Sequence, residues 1–239
     1  MIKLVRGVKP KYLTDKKVKE LTEDFKKDRT KTVWKSNRIG TNLLKSSFYK
    51  CAYCECKLQR EDSYMQVEHF KDKDTFPDDV VNWDNLLPSC GRCNRKKWTL
   101  DVTITPIINP YDDNPKQHLK LQAFRLYAKD TKGDSTIKKL FLNDDERVVL
   151  PRFLAANEIS RQLHELSSEL SDFDKIRNGI TTLLQSCQAV QPYSAFLSHT
   201  LLSDRDYIDL KTLLESKSLW DADLNDLHQN SSDLALESR

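Results

Sequence analysis

Two Cys-x-x-Cys pairs, Cys51-Ala52-Tyr53-Cys54 and Cys90-Gly91-Arg92-Cys93, bracket an acid–histidine pair, Glu68-His69, in a chain of 239 residues. Each pair turns two sulfurs toward one point, and two such turns complete the tetrahedral thiolate set that holds structural zinc. Such a set fills every coordination position, so the ion contributes folding energy directly. Two disulfides, or four reduced thiols without metal, are the other readings of this spacing. No apolar run is long enough to span a bilayer, and the N-terminal MIKLVRGVKPKYL lacks the apolar core of a secretion signal. The thiols are therefore expected in a reducing cytoplasm, where zinc is the natural reading. Cys56 lies just beyond Cys54 and is read as a bystander, because Cys51 and Cys54 already mirror Cys90 and Cys93.

The insert between the pairs is longer than in a simple zinc ribbon and should carry an element of its own. In SYMQVEHF (63–70), Tyr64, Gln66 and Glu68 alternate with Met65, Val67 and His69, a period-two strand ending at the histidine. Residues 71–83 are polar, carry Pro77 and several Asp, and read as a loop. Asn94 to Trp98 should form the first turns of a short helix. Phosphodiester hydrolysis needs a base to activate water and a cation to stabilise developing charge. Histidine suits the first task near neutral pH. One carboxylate and one amide carbonyl suit Mg²⁺, which keeps several waters and takes few protein ligands. Glu68, His69 and Asn94 supply that set.

The residues Lys50-Cys51-Ala52-Tyr53-Cys54-Glu55, Val67-Glu68-His69-Phe70, Trp83-Asp84-Asn85-Leu86-Leu87 and Cys90-Gly91-Arg92-Cys93-Asn94 with Lys97 resemble an HNH endonuclease of the ββα-metal type. With Met1-Ile2-Lys3-Leu4 and Pro10, they resemble more closely the PtuB-type nucleases of Septu and retron-associated anti-phage defence systems. Looser likeness continues through Asn109-Pro110, His118-Leu119 and Leu142-Asn143 with Arg152, so the resemblance covers roughly residues 1–155. It implies that His69 is the general base and that Glu68 and Asn94 hold a catalytic Mg²⁺ or Mn²⁺. Asn85 matches the middle asparagine, which in the family usually braces the loop by backbone hydrogen bonds. Cys51, Cys54, Cys90 and Cys93 match the structural zinc set. The acid before the histidine is often Asp in HNH proteins and is Glu here, which bears on whether it meets the metal directly or through water. The Lys71-Asp72-Lys73-Asp74 stretch alternates charge where relatives carry basic residues and a proline.

Residues 1–100 hold 23 Lys/Arg against 14 Asp/Glu, a net of +9, and residues 101–239 hold 16 against 22, a net of −6. Cations gathered around the proposed site fit a polyanion, since phosphate contacts supply most sequence-independent affinity. Arg92, Arg95, Lys96, Lys97 and Lys71 are the candidates for phosphate contact, whereas Trp98 is expected in the core. The fold class expected is α+β: a small zinc-stapled ββα core with N-terminal helices and a C-terminal helical region. Residues 1–47 form a basic arm and helices, with Thr14 capping a helix to about Asp28 and a second over about 32–45. Residues 48–105 form the nuclease core. Residues 106–221 are mixed and then helical, with an extended stretch over 102–128, a short helix capped by Asp134 or Ser135, and apolar stripes through Ile159–Leu170, Ile176–Leu184, Ala195–Leu202 and Tyr207–Leu214. The acidic charge of residues 101–239 suits a protein partner better than DNA, and docking is expected on 106–221. Residues 222–239 read as a polar tail that frays. His118, His164, His199 and Cys187 carry no motif.

Two classes of function follow. One is a metal-dependent endonuclease, DNA being the favoured substrate and RNA, tRNA included, admitted by the same residues. The resemblance implies that a PtuA-like ATPase licenses it, in some systems with a retron reverse transcriptase and its nucleic acid. The chain has no Gly-x-x-x-x-Gly-Lys-Ser/Thr phosphate loop of its own. The other is a non-catalytic zinc-stabilised nucleic-acid- or protein-binding module, which has no need of Glu68, His69 and Asn94 together. A restriction or homing nuclease is disfavoured by the near-absence of an added sequence-reading domain.

Overall fold

The computed structural model describes residues 1–59, 64–168 and 170–239. Ser63, the first residue of the expected strand, lies outside the described residues. The fold is α+β, and it divides into two compact units. One comprises residues 1, 3–118 and 128–141; the other comprises residues 2, 119–127 and 142–239. Among the described residues no helix is long and apolar enough to cross a membrane.

In the first unit the basic arm takes no regular structure but is pinned. Arg6 donates to the carbonyls of Trp83 and Leu86 at 2.8 and 2.9 Å, and the Trp83 indole N–H donates to the Gly7 carbonyl at 2.8 Å. Helix α1 (Asp15–Lys27) starts at Thr14, whose hydroxyl accepts from Lys17 N, and ends on Lys26 and Lys27, cations that suit the negative end of the helix dipole. Helix α2 (Asn37–Ser46) starts at Ser36, later than the sequence suggests, because Thr32–Lys35 close into a turn. Strands β1 (Met65–His69) and β2 (Leu86–Cys90) pair antiparallel, with Glu68 opposite Leu87 and His69 opposite Leu86. Pro88 is tolerated in β2 because a two-stranded sheet has only edges, and its carbonyl accepts from Ala52 N at 2.9 Å. Helix α3 (Gly91–Lys97) follows without a break, so strand, strand and helix form one continuous ββα unit. Leu13, Ile39, Leu43, Trp83 and Leu86 make its core, joined by the neighbouring cluster of Phe25, Val80 and Val81.

The stretch 102–105, expected to be extended, is a turn bound by Thr105 N to the Asp101 carbonyl. Short helix α4 (Pro115–His118) leads into strand β3 (Leu119–Gln122), then β4 (Arg125–Ala128). Helix α5 (Thr131–Lys139) is capped by Asp130, not by Asp134 or Ser135. Its Gly133 has no substitute, since a Cβ there would lie 2.2 Å from the His118 carbonyl oxygen.

The second unit is a helical bundle: α6 (Leu150–Ser167), α7 (Phe173–Ser186), α8 (Ser194–Ser203), α9 (Arg205–Ser216) and α10 (Ala222–Leu234). The four apolar stripes of the sequence fall on α6 to α9, save that Leu170 lies beyond the end of α6 and is exposed, and they close one core through Ile159, Leu163, Ile180, Leu201 and Leu210. Pro151 opens α6, where its missing N–H has no helical partner to lose. Arg152 is wholly buried, donating to the Leu142 carbonyl at 2.9 Å with its guanidinium 3.9 Å from the Phe196 ring centre. Asn143 exchanges two 2.8 Å hydrogen bonds with the backbone of Leu126. Residues 222–239, expected to fray, instead fold as α10 and a terminal bridge. Asp221 caps the helix, Leu224 and Leu236 are buried, and Leu121 pairs with Ser238.

Candidate functional site

The two cysteine pairs meet because β2 brings Cys90 and the start of α3 back to the loop before β1. Cys51, Cys54, Cys90 and Cys93 are all buried, and their sulfurs lie within 4.8 Å of one another. The surroundings fit a cation held by thiolates. Cys93 N donates to Cys90 Sγ at 3.4 Å, Arg92 donates to Cys93 Sγ at 3.4 Å, and the Ser89 hydroxyl lies 3.8 Å from Cys51 Sγ. Donors on sulfur offset thiolate charge that the ion does not neutralise. The four sulfurs can hold a structural metal such as zinc. All six cysteines are free of disulfides, and Cys56 is less buried than the four.

A cleft of about 870 Å³ opens beside this cluster, lined among others by Trp34, Gln66, Glu68, His69, Asn94 and Trp98. His69 closes β1 and is buried; its Nε2 lies 2.9 Å from the Val80 carbonyl oxygen, and Trp34 packs edge-on at 4.7 Å. A carbonyl oxygen can only accept, so Nε2 carries the proton and Nδ1 holds the lone pair of the neutral ring. Burial pulls the imidazole down to about 4, against the Val80 hydrogen bond, which favours the charged form. The ring is therefore neutral at physiological pH.

Glu68 is buried at the cleft wall, with Oε1 2.8 Å from Lys97 Nζ. Burial pushes its carboxyl up to about 7, and the Lys97 ammonium opposes that rise. Lys97 also donates to the His69 carbonyl at 2.8 Å. It was expected on the phosphate-facing surface, but it is buried, because position 97 falls on the face of α3 that packs on β1. Asn94 lines the cleft and donates from Nδ2 to Gln66 Oε1 at 2.6 Å. Asn85 is buried beneath the loop: its Oδ1 accepts from Lys71 N at 2.6 Å, and its Nδ2 donates to the carbonyls of Lys71 and Asp79 at 3.0 and 3.1 Å.

The remaining cations divide. Arg92 is tied to the carbonyls of Leu140 and Phe141 at 3.3 and 3.0 Å as well as to Cys93, so it braces the sulfur cluster and is not a free phosphate contact. Lys96 lies over the Phe141 ring at 3.9 Å and stays exposed; Arg95 is exposed at the cleft. Lys71 reaches Asp79 at 3.4 Å from a half-exposed position. Trp98, expected in the core, is 73% exposed. The reason is local: after the last turn of α3 its backbone takes φ 47° and ψ −131°, which throws the side chain outward. That conformation costs a non-glycine residue on the order of 1–3 kcal/mol.

Sequence reasoning overlooked Gln66, Trp34, Lys35 and Lys73, all on the cleft wall. Gln66 was open to detection, because it sits two residues before Glu68 on a period-two strand. The others come from the α1–α2 connection and the loop after β1, and no local pattern points them at His69.

No family model matches the chain. It is 38% identical to the Septu protein PtuB of Bacillus thuringiensis over 241 aligned residues, covering 96% of this chain and 93% of that protein. A Septu protein PtuB of Bacillus mycoides (strain KBAB4) is 31% identical over 141 residues, covering 44% of this chain and 47% of that protein. With near full-length similarity joined to the paired cysteines and the Glu68-His69 strand end, the chain belongs to the Septu PtuB family.

Proposed function

We propose that the chain is a metal-dependent HNH endonuclease that hydrolyses phosphodiester bonds of nucleic acid, DNA being the favoured substrate. We further propose that it serves anti-phage defence as the effector of a PtuA-like ATPase. One observation carries the reading: a neutral, buried imidazole shares a single cleft with the Glu68 carboxyl and the Asn94 amide, and Asp72 and Asp74 line the same cleft. His69 is held by Val80 at Nε2, which leaves Nδ1 to take a proton from water. Glu68 and Asn94 are the side chains that would hold Mg²⁺ or Mn²⁺, and that ion would supply charge stabilisation at the scissile phosphate. Lys97 keeps part of the Glu68 carboxyl ionised despite its burial and fixes the His69 backbone, so α3 and β1 hold the two residues in register. Asn85 stiffens the loop that leaves the active strand. Arg95, Lys96 and Lys71 offer charge to the phosphate backbone without reading sequence. Residues 106–221 are the proposed docking region for the partner.

The test is cleavage of DNA and RNA by the purified chain with its co-encoded ATPase and Mg²⁺ or Mn²⁺. His69→Ala should lower cleavage by about 10²-fold or more, with zinc content and melting temperature unchanged. Undiminished cutting by that variant would remove His69 from the mechanism. A wild-type chain that binds but cuts neither polymer would leave the non-catalytic binding module.

A further inference from the structure

The cleft carries more aromatic surface than hydrolysis requires. Trp98 is 73% exposed and Tyr64 is 70% exposed, and both line the same cleft as His69 and Asn94. Among the described residues neither ring packs against another aromatic ring or lies under a cation. Trp98 also sits in a left-handed backbone conformation that a bulky side chain rarely adopts, four residues after Asn94. Apolar surface gathered in a groove and rimmed by polar groups marks a place that binds. Lys35, Lys73 and Arg95 line the same walls, so the aromatic faces stand among cations.

Rings interleaved with cations are the chemistry that binds unpaired nucleotides. Each base offers a π-face to stack on, while the backbone follows the positive charge. A base inside a duplex has both faces covered by its neighbours and offers none to a protruding indole. We propose that Trp98, aided by Tyr64, is a stacking platform that selects an unpaired nucleotide next to the scissile phosphate. The substrate class is then a single strand or a loop, of DNA or RNA, not a continuous duplex. This rests on the reading of the cleft as a nucleic-acid site, and Trp98 is a specificity-determining residue in it, not a member of the reacting set.

The experiment uses the full zinc-loaded chain carrying His69→Ala, so that cleavage cannot consume the probe. Fluorescence anisotropy at low ionic strength follows fluorescein-labelled 12-nucleotide DNA and RNA strands and the matching duplexes. Single strands should bind more tightly than duplexes. Adding Trp98→Ala should weaken single-strand binding by about 5- to 150-fold, the range to which base–aromatic stacking of about 1–3 kcal/mol converts. Duplex binding should be unchanged, and Trp98→Tyr should stay within about threefold. A strand made abasic throughout should not respond to Trp98→Ala. Equal losses on strand and duplex, a Trp98→Tyr loss as large as that of Trp98→Ala, no change at all, or no binding of any strand would each overturn the platform. So would loss of a protein partner from the Trp98→Ala chain with single-strand affinity intact, since the indole would then be a protein-docking residue. The two readings fail separately. A wild-type chain that binds strands through Trp98 but cuts none keeps the platform and loses the nuclease. Cutting with strand binding indifferent to residue 98 does the reverse.

Discussion

The sulfur cluster gathers four groups of one kind and one potential sign, whereas the adjoining cleft wall brings together the Glu68 acid, the His69 imidazole and the Lys97 ammonium. Four buried thiolates would need a cation, because backbone and Arg92 donors offset only part of such charge. Glu68, by contrast, has its countercharge built in at Lys97, and His69 needs none because burial keeps it neutral. The first region is suited to an ion from outside the chain, and the second is balanced by the chain itself. Both hang on α3, which carries Cys93, Asn94 and Lys97 in two turns.

The largest effect should come from breaking the sulfur cluster. Cys90→Ser removes both a ligand and the cap of α3, and should cost more than about 5 kcal/mol of stability along with the bound zinc. Metal analysis and thermal melting read it directly. A folded, zinc-replete variant would show that the ligand set is wrong, with Cys56 the first suspect. Next comes the cleft wall. Lys97→Met strands the Glu68 carboxyl without its partner and should cost about 3–5 kcal/mol in urea unfolding. Zinc should stay bound, and adding Glu68→Gln should recover much of the loss. A cost below about 1 kcal/mol would mean that the pair does not organise the wall. The smallest effects should separate the outer cations. Arg92→Ala should cost about 1 kcal/mol of stability. Arg95→Ala should leave stability within about 0.5 kcal/mol while reducing the salt slope of nucleic-acid binding by about 1. The opposite assignment would exchange their roles.

The sulfur cluster was legible from sequence because its signal is local: two turns of four residues, each self-sufficient. Strand β1 was legible from its alternation, and α6 to α9 from their apolar stripes. The cations of α3 were legible as charge but not as address. Residues 92, 95, 96 and 97 look alike in the sequence, and only helix phase against β1 and α5 makes Lys97 an internal brace, Arg92 a carbonyl clamp and Arg95 a surface charge. Trp98 misleads for a related reason, since apolarity argues for burial and a reversed backbone at a helix end overrides it. Helix α10 was hidden by its polarity: Leu224 and Ser231 are the buried residues among its 13, and they fit only against a bundle already formed.

The shortness of α3 has a consequence for how this sequence can vary. Cys93 and Asn94 are adjacent, so the sulfur cluster and the cleft share a peptide bond and have no slack between them. One residue inserted there would swing everything after it about 100° around the helix axis. Lys97 would then leave its acid and the amide would leave the cleft, with every original side chain still present. Substitution is open to the outer faces of this helix, but a change of length is closed to it.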